Sequence, residues 1–94
     1  MVTRQIRVRG RVQGVGYRDA LRAKAQQLGV RGWVRNRSDG SVEALLQGSA
    51  QAVDRLLAWA HRGPPPAHVR EVSVEPPAAE FDHLYERFER WPSA

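Results

Sequence analysis

Gly10-Arg11-Val12-Gln13-Gly14-Val15-Gly16-Tyr17-Arg18 is the stretch on which the fold turns, because the hydrophobic period changes inside it. Upstream, over Thr3 to Val12, the residues Ile6, Val8 and Val12 fall on one face and Arg7, Arg9 and Arg11 on the other. That alternation is the pattern of a half-buried strand. Downstream, Tyr17, Leu21, Ala25 and Leu28 form one stripe at helical spacing. Between the two, Gly14 and Gly16 bracket Val15, and glycines this close admit left-handed backbone and let successive N–H groups converge on one point. The loop therefore opens onto a helix N-terminus, whose free N–H groups and dipole favour an anion. Arg18 stands in that first turn, where a cation opposes the dipole. A bound anion explains its placement better than helix stability does.

From this junction the pattern runs on in order. Gly29 stops the first helix, and Val30 to Arg37 reads as a strand with Val30, Gly32, Val34 and Asn36 on one face. Ser38-Asp39-Gly40 is a hairpin signal, so Ser41 to Gln47 is the antiparallel return strand. Ser49 is positioned to cap a second helix whose buried stripe is Val53, Leu56, Leu57 and Ala60, ended by Gly63 and Pro64. Pro64-Pro65-Pro66 is a stiff connector, and Val69 to Glu75 alternates as a fourth strand. The tail patterns poorly, with a short edge strand expected near Tyr85 to Glu89. The order β-α-β-β-α-β is that of the ferredoxin-like split βαβ sandwich, an α+β fold in which two helices cover one face of an antiparallel sheet. If the first two strands lie near one another, the end of the second brings Asn36 towards the loop after the first.

The 94 residues suit a single domain spanning residues 1–94. The absence of cysteine excludes a disulfide framework and any thiolate site, and fits a cytoplasmic protein. Met1 to Arg11 lacks the apolar run of a signal peptide, and no stretch is apolar enough to span a bilayer, so no membrane partner is expected. The net charge of +5 raises the question of nucleic acid. Lys24 is the only lysine among many arginines, however, in a chain also rich in Ala, Gly and Pro. This looks like compositional bias rather than a basic patch. His61, His68 and His83 have neither ligand spacing nor a cysteine partner, so no metal site and no cofactor are expected.

The run from Gly10 through Arg18, together with Gly32-Trp33-Val34-Arg35-Asn36 beyond the helix, resembles the acylphosphatase family. Asp39-Gly40-Ser41-Val42-Glu43 and Gly48 extend the likeness, which runs from about Ile6 through Val74. The C-terminal end departs from it: an apolar residue is expected two places after Phe88, and Arg90 stands there. The resemblance implies metal-independent hydrolysis of the carboxyl–phosphate anhydride of acyl phosphates. It implies that Arg18 and Asn36 are catalytic, and that Gln13, Gly14, Val15, Gly16, Tyr17 and Arg18 bind the substrate phosphate. Such chemistry suits a small site. A carboxylate leaves readily, so positioning and charge stabilisation carry the transfer. Asn36 cannot act as a base; its amide would orient the attacking water.

Other phosphate motifs fail on residue type. Gly16 is followed by Tyr17-Arg18-Asp19, so Asp19 stands where a dinucleotide fingerprint needs its third glycine, and no G-K-[ST] or G-x-S-x-G occurs. An RNA-binding module of the same fold needs aromatics on its central strands, and Thr3 to Val12 and Ser41 to Gln47 contain none. Trp33, Trp59 and Trp91 are expected to pack rather than stack on bases. A non-catalytic phosphate-binding module within a larger carbamoyl-transfer protein is the other alternative, and a free-standing enzyme is preferred. The expected partners are therefore a small acyl phosphate and the competing anions phosphate and sulfate, with a monomeric chain and no specific nucleic acid.

Overall fold

The period-two segment becomes β1 (Val2–Arg11), which sits inside the sheet because both of its edges are paired. In this computed structural model, which describes residues 1–94, α1 (Tyr17–Leu28) follows, then β2 (Arg31–Asn36) and β3 (Val42–Gly48). After them come α2 (Ala50–Arg62), β4 (His68–Glu75) and β5 (Phe88–Arg90). The strand order is β4-β1-β3-β2-β5. Both helices lie on one face. There Leu21 and Ala25 of α1 and Val53, Leu56 and Ala60 of α2 close over Ile6, Val8, Val34, Val42, Ala44 and Leu46. Each valine, leucine or isoleucine among them, once removed from water, contributes about 1.5–3 kcal/mol, and each alanine less. Leu57, expected in the stripe, is only partly buried at its edge.

The helix ends follow the sequence signals. Gly29 adopts the left-handed conformation and its N–H reaches the carbonyls of Ala25 and Gln26. The Ser49 hydroxyl accepts from the N–H of Ala52 at 3.1 Å and caps α2.

The sheet is antiparallel except at one edge, where β5 pairs parallel to β2 with Gly32, Trp33 and Val34 opposite Phe88, Glu89 and Arg90. This corrects the wholly antiparallel sheet expected from the element order and shifts the last strand towards the C-terminus. The route of the chain explains both changes. β4 leaves the sheet where Glu75 faces Gln5, and residues 76–87 cross the helix-free face before re-entering beside Gly32. A strand that re-enters at the end where its predecessor left must run back the opposite way, which is the direction of β1 and β2. Gln47 fixes the crossing: its amide donates to the His83 carbonyl at 2.8 Å and accepts from the Tyr85 N–H at 2.9 Å. Tyr85 is thereby withheld from the ladder. Its ring instead joins Trp33, Leu45, Phe81 and Trp91 in a second, aromatic cluster.

That crossing also decides the role of the tryptophans. Trp33 is fully buried, stacked on Trp91 at 4.5 Å between ring centres, and its Nε1 donates to the Tyr85 hydroxyl. Trp59 packs against Tyr17. No helix is long and apolar enough to cross a membrane.

Candidate active site

β1 and β2 both run antiparallel to β3, one on each side of it, so they point the same way and finish at the same end of the sheet. The register makes this concrete: Val8 and Asn36 both face Val42, from opposite edges. The loop that continues β1 and the hairpin that follows β2 therefore lie at the same end without being neighbours in strand order. Gln13 joins them. Its Nε2 donates to the carbonyls of Arg37 and Ser41, both at 2.8 Å, clamping the loop to the hairpin that follows Asn36. Asp39 stiffens that hairpin by accepting from the Ser41 hydroxyl at 2.6 Å and from its N–H at 3.0 Å.

In the loop itself, Gly14 and Gly16 have φ of 73° and 79°, the left-handed conformation that the spacing called for. The N–H groups from Gly14 to Arg18 donate to no carbonyl of the chain, and Gly16, the residue before α1, provides no side-chain cap. Five successive donors thus face outward at a helix N-terminus, the arrangement that receives an anion. They open on a concavity of about 170 Å³ lined by Gly14, Gly16 and Arg18. Arg18 is half-buried and makes no ion pair. Burial lowers its pKa, the neighbouring Arg90 charge lowers it further, and Asp19 pulls the other way. The guanidinium remains a cation at any physiological pH.

The remaining residues divide by what their side chains do. Tyr17 turns into the core, where its hydroxyl donates to the Ala60 carbonyl at 2.8 Å. Burial holds its pKa well above the ordinary value of a phenol. Only the main chain of Tyr17 is free for an anion. Val15 packs on the core edge, and the Gln13 amide is spent on the hairpin. Asn36 lies outside the lining of the concavity, at the same end of the sheet, with its main-chain carbonyl taken by the Ala94 N–H at 3.0 Å. Its side-chain Oδ1 is the one buried side-chain polar atom in the chain with no hydrogen-bond partner. Native chains rarely tolerate such an atom without reason, and an acceptor at this position suits a water.

Two residues that the patterns did not single out also line the concavity, Asp19 and Arg90. They pair at 2.8 Å. The signal was present in the sequence as the departure after Phe88, but its meaning needed the register of β5. A larger and more open groove of about 550 Å³ lies between the helices, near Lys24, Arg55 and Trp59. It has no converging N–H groups and no feature of the phosphate motif.

Comparison with known proteins shows the family. A family model described as Acylphosphatase matches residues 4–89. A relative named acylphosphatase from Paraburkholderia xenovorans is 57% identical over 94% of this chain and 89% of its own length. Among solved structures, an acylphosphatase from Bacillus subtilis superposes with a TM-score of 0.88 at 34% identity, covering 97% of this chain and 99% of that one. One from Coxiella burnetii gives 0.87 at 34% identity, covering 96% and 92%. With the match spanning both the loop and the strand that carries Asn36, the chain belongs to the acylphosphatase family.

Proposed function

We propose that the chain hydrolyses small acyl phosphates, the activity its family carries, through Arg18, Asn36 and the main chain of Gln13 to Arg18, and without a metal ion. The phosphoryl oxygens sit among the outward N–H groups, with the Arg18 guanidinium gripping two of them in plane. Water held by the Asn36 amide attacks phosphorus. The bond from phosphorus to the acyl oxygen breaks with its electron pair passing to the carboxylate, and a water proton goes to the phosphate or to solvent. Donors already fixed in the loop need no reorganisation as charge builds on the equatorial oxygens.

One observation carries this reading most directly. Five unbonded N–H groups, an unpaired arginine and an unpartnered amide oxygen stand at one end of one sheet. Each is incomplete within the protein, and a phosphoryl group with an attacking water would complete them all. Release of phosphate from benzoyl phosphate by the purified chain tests the reading. Activity should be unchanged by a chelator, and phosphate and sulfate should inhibit competitively. Loss of activity in chelator, restored by a divalent cation, overturns the metal-free mechanism, and purely noncompetitive inhibition overturns the loop as the substrate site. The chain is expected to act as a monomer in the cytoplasm and to bind nucleic acid only weakly, without sequence preference and with strong salt dependence.

A further inference from the structure

Phe88 and Arg90 share the helix side of β5, and the pairing of Val34 with Arg90 sets that side chain near the start of α1. There its Nη1 meets the Asp19 carboxylate at 2.8 Å, while the same side chain lines the concavity that Arg18 lines. The concavity is small, about 170 Å³, and Arg18 and Arg90 are both among the residues that line it, so an anion held there lies close to both.

We propose that Arg90 is a second phosphate-binding residue, forming with Arg18 a two-arginine cradle in which Asp19 competes with the bound anion for the Arg90 guanidinium. The inference rests on the loop being the phosphoryl site. A phosphoryl group esterified once carries close to two negative charges at neutral pH, and Arg18 by itself offers one positive charge. Arg90 offers the second. Two like charges beside one concavity repel, and a dianion between them turns that repulsion into attraction. The Asp19 pair is no obstacle. Its partners are 40% and 64% exposed, and an exposed pair of this kind opens at little cost.

Three variants separate this role from a structural one. Arg90→Gln should weaken inorganic phosphate binding about tenfold by calorimetry, the loss expected for one charge-assisted contact. The same variant should raise KM for benzoyl phosphate by a similar factor while kcat changes much less. Arg90→Lys should recover most of the affinity. Asp19→Asn breaks the same ion pair but leaves the guanidinium, so phosphate should bind at least as tightly as to the wild type. Thermal melting of each variant checks that β5 is in place. Wild-type affinity in Arg90→Gln overturns the cradle, and so does an Asp19→Asn variant that weakens in step with Arg90→Gln, because the pair would then act only by holding β5. A wild-type chain that binds phosphate but releases none from benzoyl phosphate overturns the hydrolytic reading and leaves the cradle standing.

Discussion

The loop between β1 and α1 makes its half of the site from main chain, whereas the end of β2 makes its half from a single side chain. In the loop, the glycines set the path and the N–H groups are left without partners, while the side chains of Tyr17, Val15 and Gln13 anchor it to α2, the core and the hairpin. At the strand end, the backbone of Asn36 is committed to β3 and to Ala94, and only its amide is available. The difference teaches a division of labour. A main-chain cradle is hard to remove by substitution, since every residue but proline has an N–H, while a lone amide can be deleted cleanly. Binding and attack should therefore come apart under mutation.

Arg18→Ala should have the largest effect, because it removes the one side chain of the cradle that follows charge onto the phosphoryl oxygens in the transition state. Its kcat/KM should fall on the order of 10³ or more, the scale seen for arginines acting on transferring phosphoryl groups. Arg18→Lys should recover little, since lysine keeps the charge and loses the planar fork. Near wild-type kinetics for the lysine variant would show that the fork is not used. Asn36→Ala should lower kcat on the order of 10² to 10³ with phosphate affinity intact. Calorimetry, melting and turnover on one sample decide it: a fall in phosphate affinity parallel to kcat would merge the two halves of the site.

Gln13→Ala sharpens the contrast by cutting the clamp between the halves. It loses two hydrogen bonds at about 1 kcal/mol each, and kcat should drop about tenfold while phosphate still binds. Unchanged kcat would mean that the loop and Asn36 keep their relative position without it. The smallest effect is expected beneath the site. Glu43 accepts from Arg35 at 2.8 Å, Gln5 at 2.9 Å and Arg7 at 3.3 Å, on the strand beside Asn36. Burial alone would raise its pKa from the ordinary 4.5, but the hydrogen bonds from Arg35 and Gln5 and the charges of Arg35 and Arg37 outweigh it and hold the carboxyl lower. A carboxylate depressed in the folded state stabilises fully above its unfolded pKa and loses that contribution as pH falls through the folded one. Glu43→Gln should accordingly melt below the wild type at pH 7, with the gap closing in acid below about pH 4.5. A gap independent of pH would assign the effect to packing.

Much of this was legible in the chain itself. The alternation of Ile6 and Val8, the helical stripe from Tyr17 to Leu28, the caps at Gly29 and Ser49 and the Asp39-Gly40 turn are local signals, and each became the element it indicated. The loop was legible for the same reason, since the left-handed backbone at Gly14 and Gly16 depends on those residues and their immediate neighbours. The likeness to acylphosphatases then joined the loop to Asn36 before any geometry was known. What the sequence could not state is how segments far apart in it pair. That β1 and β2 flank β3 in the same direction, that Gln47 captures the crossing segment, and that β5 consequently runs parallel to β2 are all decided between distant residues. Period-two alternation gives a strand its faces but not its neighbours or its direction. Arg90 was therefore only an oddity in the tail until the register of β5 set it opposite Val34 and within reach of Asp19.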